Sequence, residues 1–292
     1  MTEPLIAVPN VSEGRDPLVL AAIGDAYAQA GARVLDVHSD PDHHRSVFTL
    51  AGAPGTLAGA LVAGAAQAVE LIDVSGHEGI HPHVGALDVC PVVHVTPGQR
   101  GAAAAEALVA ADEIGRLGVP VFLYGELGGG RTRAEIRRGG PGELARRMAA
   151  GELRPDFGPP APHPTAGATL VACRPPLIAF NLELAPPATL EDAKAIAADI
   201  REGGAHGLPG LRAIGLALAA RGGVAQVSMN VEDHLALPLA EVVAAVRAHA
   251  PVAEAEVIGL PPEAAFAGFP EDLPVRNRRT LEAALAEHAP IR

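Results

Sequence analysis

Short apolar runs separated by glycine, proline and charged turns recur along this chain in two similar series. In the first, residues 5–10 read as a buried strand, 17–30 as a helix, 34–38 and 45–50 as strands paired around a polar turn, and 56–70 as an alanine-rich helix. The second predicts a strand over 177–182, a helix over 190–202, and a strand pair over 211–218 and 225–231 turned at Arg221-Gly222-Gly223. A helix over 239–249 and a strand over 255–259 close it. The order β-α-β-β-α-β predicts an α+β protein of two ferredoxin-like (βαββαβ) domains, each an antiparallel or mixed sheet covered by helices. The two opening strands share wording, Leu5-Ile6-Ala7 against Leu177-Ile178-Ala179, with Asn10 and Asn181 close behind. That reads as a duplication, or as a chance likeness of two short apolar strands. Between the series, residues 152–167 hold too much proline and glycine for a helix or central strand, because proline removes a donor and fixes its dihedral. Domains of 1–175 and 176–292 follow, with that stretch as a linker or a ligand loop.

Composition bounds the partners. At 292 residues and 49% hydrophobic content the chain has apolar material for two cores. A net charge of -12, with Lys194 the only lysine, argues against nucleic acid or an anionic membrane, which need clustered cations. The densest basic runs, Arg137-Arg138 and Arg276-Asn277-Arg278-Arg279, read as solvated surface. Cys90 and Cys173 form no C-x-x-C pair and no zinc spacing, as expected of buried thiols in a reducing compartment. With no signal-peptide pattern and no apolar stretch near the roughly 20 residues a bilayer requires, a cytoplasmic location is expected.

Candidate chemistry gathers in Gly79-Ile80-His81-Pro82-His83-Val84-Gly85-Ala86-Leu87-Asp88, two histidines in a glycine-punctuated turn before an apolar strand. An imidazole exchanges a proton near its unperturbed pKa of about 6.5, and Pro82 stiffens the backbone beside it. The spacing suits a catalytic acid/base and equally a loop of two solvated histidines. His38, His43, His44, His77, His81, His83 and His94 fall within 57 residues, and His77-x3-His81-x-His83 offers imidazoles to a divalent metal, as in a metal-dependent hydrolase. Against that stand the absence of an H-E-x-x-H helix and the proline inside the stretch.

The histidine segment resembles that of the formiminotransferase family, folate enzymes that move a formimino group from N-formimino-L-glutamate to tetrahydrofolate. Further blocks are similar in order: Val8-Pro9-Asn10-Val11-Ser12-Glu13-Gly14-Arg15, Asp40-Pro41-Asp42-His43-His44-Arg45-Ser46-Val47-Phe48-Thr49, Leu71-Ile72-Asp73, and Val119-Pro120-Val121-Phe122-Leu123-Tyr124-Gly125-Glu126. Asp156-Phe157-Gly158-Pro159, Leu177-Ile178-Ala179-Phe180-Asn181 and Ala225-Gln226-Val227-Ser228-Met229-Asn230 extend the likeness over nearly the whole chain. The resemblance implies His81 as the catalytic histidine, tetrahydrofolate as co-substrate, no metal, ligands bound between the domains, and a homodimer. It implies a folate loop of Gly158, Pro159, Pro160, Ala161, Pro162, His163, Pro164, Thr165, Ala166 and Gly167, whose glycines would allow close backbone approach to a flat pterin. It also covers the transferase part alone, without the cyclodeaminase domain of mammalian bifunctional members.

Substrate-binding roles are expected for Asn10, His38, Arg45, His83 and Glu126. Arg45 fits a substrate carboxylate or a salt bridge to Asp40 or Asp42. Glu126 fits a site residue or a hydrogen-bonded edge residue, and Gly128-Gly129-Gly130-Arg131 a flexible loop. Four positions depart from the family pattern: His38 stands for an aspartate, His83 for an arginine, His44 for an asparagine and Ala166 for a tryptophan. Imidazole pairs less well than carboxylate with an amidinium-like cation and lacks the bidentate grip of guanidinium. These changes also fit a folate- or small-anion-binding protein of the same fold without transferase activity.

Overall fold

The computed structural model describes residues 3–287. Its chain divides into two compact units, which meet at Pro175 and Pro176. Each is an α+β unit built on one sheet.

In the first unit the strands are β1 (Leu5–Ala7), β2 (Asn10–Val11), β3 (Arg33–Asp40), β4 (Arg45–Gly52), β5 (Leu87–Val93), β6 (Val121–Leu123) and β7 (Thr169–Arg174). The helices are α1 (Pro17–Gln29), α2 (Leu57–Leu71), α3 (Arg100–Arg116), α4 (Arg133–Arg137) and α5 (Gly140–Ala149). The sheet runs β3-β4, then the collinear pair β1 and β2, then β5, β7 and β6, with β5, β7 and β6 parallel. The strand expected over 5–10 is broken in two at Val8-Pro9. Pro9 has no N–H to give the ladder, and its carbonyl instead accepts from Phe48 at 2.9 Å while Val8 donates to Pro91 at 3.0 Å. Helix α1 starts where Asp16 accepts from the Leu18 and Val19 N–H groups and Pro17 presets the first turn.

Both faces of this sheet are covered. Helices α1, α2 and α3 close one face over Tyr27, Phe48, Leu50, Leu61 and Ile114. On the other, Phe122, Tyr124, Leu170 and Ala172 pack with Ile136 of α4 and Leu144 and Met148 of α5. Strands β4 and β5 are buried along their whole length, as both-sided packing requires.

The second unit follows the expected order: β8 (Ile178–Leu184), α6 (Leu190–Ile200), β9 (Leu211–Leu218), β10 (Val224–Val231), α7 (Leu239–Arg247) and β11 (Val252–Ile258), followed by β12 (Val275–Arg276) and α8 (Leu281–Glu287). Its sheet order is β12-β11-β8-β10-β9. Thr189 and Asp192 form a capping box that starts α6. Arg276, expected on solvated surface, is instead drawn to Glu183 at 2.7 Å, Glu256 at 3.2 Å and Glu254 at 3.3 Å, because β12 lies beside β11 and brings its guanidinium over that strand's acidic face. No described helix is long and apolar enough to cross a membrane.

Candidate active site

Strand β2 runs antiparallel to both β4 and β5, so the starts of β4 and β5 lie on one edge of the first sheet. Arg45 opens β4, and Asp88 sits second in β5. Between them β5 is bulged: Asn10 faces Val89 and Val11 faces Leu87, leaving Asp88 as the extra residue. Leu87 packs with the α1–α3 core and Val89 with the α4–α5 core, although residues two apart on a regular strand share a face. The bulge thus delivers Asp88 to the α4 side.

There Asp88 is fully buried and fully engaged. Its Oδ2 accepts from Arg45 Nη1 at 2.6 Å and from Arg137 Nη2, and its Oδ1 from the Val84 N–H at 2.9 Å. Arg45 Nε donates to Asn10 Oδ1 at 3.1 Å, and the Asn10 amide donates to the Val8 carbonyl at 2.8 Å. Burial pushes the Asp88 carboxyl up, but Arg137 and Arg45 outweigh it and hold it well below the carboxylate range. Burial brings Arg45 down to about 10, which leaves it charged at neutral pH.

His81 stands in the loop between α2 and β5. A side-chain carbon at Gly79 would lie 2.4 Å from the His43 carbonyl oxygen and 2.5 Å from His77 Nε2, so only glycine lets the loop pack on the β3–β4 turn. The Ile80 N–H donates to Asp42 at 3.2 Å, and at the far end the Ala86 N–H donates to Ala166 at 2.9 Å. Held in this way, His81 keeps a buried Nδ1 with no hydrogen-bond partner. Burial, then the cations Arg45 and Arg137, depress its pKa well below 6.5 against the opposing pull of Asp88. At neutral pH it is an uncharged imidazole, able to accept a proton.

His43, His44, His77 and His83 gather nearby, with His77 stacked on His44 and edge-on to His83. His77 lies 4.5 Å from His44 and 4.2 Å from His83 between ring centroids, and His43 lies 6.2 Å from His81. Among the described residues no group of three or more His, Cys, Asp or Glu is arranged to hold a metal ion. His38 lies on β3 opposite Val47, its pKa lowered by burial against the pull of Asp40. Asp40 accepts from the His43 N–H at 2.7 Å and lies 3.1 Å from the His43 ring. The salt bridge expected from Arg45 to Asp40 or Asp42 is therefore replaced by the buried bridge to Asp88.

The segment from Gly158 to Gly167 is anchored to the histidine loop's own strand. His163 and Gly167 exchange backbone bonds of 2.8 and 2.9 Å, the Thr165 carbonyl accepts from Val74 at 2.8 Å, and the Ala168 N–H donates to Val84 at 2.9 Å. His163 Nδ1 accepts from the Ala166 N–H at 3.0 Å. Gly158 and Gly167 have φ of +79° and +65°, and a side-chain carbon would meet the Val119 carbonyl at 2.5 Å and the Val84 carbonyl at 2.2 Å. The space these glycines keep open is filled by the protein's own backbone. Ala166 is buried in the α1–α3 core.

Glu126 is separate. It follows β6 and pairs with exposed Arg100 at the start of α3, beyond the far ends of β5 and β7. Asp88 lies five residues before the end of β5, about 17 Å at the rise of a strand. Arg137, expected on solvated surface, is drawn in by Asp88 because α4 crosses the sheet face. The signal for it was Thr132-x-x-Glu135, a capping box that starts a helix with Ile136 facing inward and Arg137 beside it. Arg131, in the presumed flexible loop, is fixed to Asp156 at 2.7 Å.

Comparison with known proteins bears on the chain as a whole. Residues 5–174 match the model of the formiminotransferase domain, N-terminal subdomain, and residues 179–268 that of the formiminotransferase domain. The glutamate formimidoyltransferase of Streptococcus pyogenes serotype M1 is 37% identical over 229 residues, covering 77% of this chain and 76% of that protein. That of Thermoplasma acidophilum is 34% identical over 272 residues, covering 89% and 88%. The formimidoyltransferase-cyclodeaminase of Sus scrofa is 40% identical over 247 residues, 80% of this chain. The chain spans 44% of that pig protein and 50% of its Gallus gallus counterpart, about half the length of these relatives. By the match of both domain models along most of its length, this chain belongs to the formiminotransferase family.

Proposed function

We propose that the chain transfers the formimino group of N-formimino-L-glutamate to tetrahydrofolate, with His81 as general acid and base. The observation that carries this reading is the state of His81, a buried imidazole kept neutral among cations, with a ring nitrogen no protein group uses. Attack of the folate nitrogen on the formimino carbon releases one proton, and departure of the glutamate nitrogen consumes one. His81 accepts the first; the imidazolium so formed, disfavoured by burial and by Arg45 and Arg137, gives it up readily to the leaving nitrogen. Asp88 offsets part of that repulsion, which keeps protonated His81 accessible. Arg45 and Asn10 act through Asp88 rather than on substrate, and His83 packs against His77. Folate contact by Gly158 to Gly167 is supported by the backbone bonds that tie the loop to residues 84–86.

The same reading includes two ferredoxin-like domains. Its support is the strand order common to both sheets, in which the fourth strand of the motif lies beside the first, then the third, then the second. A cytoplasmic homodimer completes it, as in the family.

The names of the Streptococcus and Thermoplasma relatives support the reaction. One observation favours a binding protein instead: His38, standing for an aspartate, is depressed in pKa by burial and presents no negative charge to an amidinium. Transfer from N-formimino-L-glutamate to tetrahydrofolate, followed by product absorbance, separates the two. Transfer is expected in the native chain, with kcat reduced about 10²–10⁴-fold in His81→Ala and unchanged in Glu126→Gln. Tight folate binding without turnover would establish the binding protein.

A further inference from the structure

The α4 face of the first sheet carries more positive charge than its carboxylate answers. Arg45 and Arg137 share Asp88, but the next guanidiniums along the face, Arg133 and Arg174, pair with no carboxylate among the described residues. Arg133 is half-buried with its guanidinium 5.7 Å from the centre of the Tyr124 ring. Arg174 follows Leu170 and Ala172 in alternation along β7, which places it on this face; its Nη1 donates to the neighbouring Pro175 carbonyl at 2.9 Å. Two buried guanidinium nitrogens here have no partner, Arg174 Nε and Arg137 Nε, and the buried Tyr124 Oη has none but the Arg174 guanidinium within reach. Arg174 is close enough to Tyr124 and Arg133 to feel both, and Arg133 close enough to Arg45 to lower its pKa, so the four cations form one continuous strip that ends beside His81.

Buried donors without acceptors are costly, and an unpaired buried cation more so. A ligand carboxylate would satisfy both, since guanidinium presents a planar fork to it and the tyrosine hydroxyl adds a donor. We propose that Tyr124, Arg133 and Arg174 form a carboxylate-binding subsite, which takes the side-chain carboxylate of the formimino donor while its formimino nitrogen lies at His81. The inference rests on the transferase reading for the identity of the donor.

The test is calorimetric binding to the whole chain of two inert probes, N-formyl-L-glutamate and N-formyl-L-norvaline, which differ in the distal carboxylate. The native protein should prefer the dicarboxylate about 10- to 100-fold, the range of charge-assisted hydrogen bonds, and Arg174→Gln and Arg133→Gln should each reduce that ratio toward one. His81→Ala should keep the ratio, so a chain that binds in this way but fails to transfer loses the reaction and not the subsite. Arg133→Gln and Tyr124→Phe carry the test if Arg174→Gln does not fold, as thermal melting would report. An unchanged ratio in the folded variants overturns the proposal, as does inorganic phosphate binding the native chain in preference to the dicarboxylate.

Discussion

Replacing Asp88 by asparagine keeps the side chain's shape and removes the buried carboxylate that Arg45 and Arg137 share. In the native protein that carboxylate receives Arg45, Arg137 and the Val84 N–H, all in a fully buried position. In Asp88→Asn one amide oxygen remains for those donors, its NH2 group faces cations, and Arg45 stays buried without a counter-charge. Breaking a buried pair by removing one partner costs about 3–5 kcal/mol, against a total domain stability of about 5–15 kcal/mol. At about 2–4 °C per kcal/mol for a unit of this size, the melting of the first unit should fall by about 6–20 °C in scanning calorimetry. The pH dependence gives a second reading. Because the folded pKa of Asp88 is depressed, its stabilisation is complete above the unfolded value of about 3.9 and is lost as pH falls toward the folded one. The native chain should therefore lose guanidinium resistance between about pH 4 and 2 by an amount that Asp88→Asn lacks. Arg45→Met combined with Asp88→Leu should cost less than the sum of the single changes by about 1 kcal/mol or more. A melting shift under about 2 °C in Asp88→Asn, or strict additivity in the cycle, would refute the account of a charge network holding this edge together.

Two further outcomes follow from the histidine loop. His38, His44, His77, His81 and His83 all have folded pKa values depressed by burial, so the unfolded chain takes up protons first as pH falls. Stability should be complete above about pH 6.5 and decline below it, levelling under the folded values, which for His77 is about 4; urea midpoints at pH 7.5, 6 and 5 would read this. For the same reason kcat/KM should be flat from pH 7.5 to 6 on its acid side, and an inflection at 6.5 would contradict a depressed His81. Gly79→Ala forces a carbon to within 2.4 Å of the His43 carbonyl. It should cost about 1–3 kcal/mol and, by shifting His81 about 1 Å, about 10²-fold in kcat; full activity would show that the loop yields elsewhere.

How far the sequence reveals this depends on the distance over which each feature is encoded. The six elements of the second unit announce themselves through period and turns, and β9 over Leu211–Leu218 matches its expected bounds, because each is a local matter of alternation and capping. In the first unit the elements through α2 were legible, as was the apolar strand after the histidine loop, which is β5. The parallel strands β5, β7 and β6 pair across long connections that no local pattern specifies, and α4 is only five residues long. His81 was visible because a glycine, a proline and an imidazole stand together. Asp88 carries no local mark of its role, since its importance arises from partners 43 and 49 residues away. Arg137 illustrates the same blindness: as half of an arginine doublet it reads as surface, and only the burial of Ile136 turns α4 so that one arginine points inward.

The bulge at Asp88 behaves as a frameshift in a two-letter code. A strand reads its residues alternately to its two faces, and the extra residue puts the segment ending at Leu87 and the segment beginning at Val89 in opposite frames. The histidine loop can therefore be written in one frame and the hydrophobic register of β5 in the other, with neither constraining the spelling of its neighbour. Deleting a single residue between Ala86 and Val89 would merge the frames and send either the carboxylate or the valine to the wrong side. For grafting or recombination of this fold, residues 87–89 are thus an indivisible unit, and a crossover is tolerated on either side of them but not within.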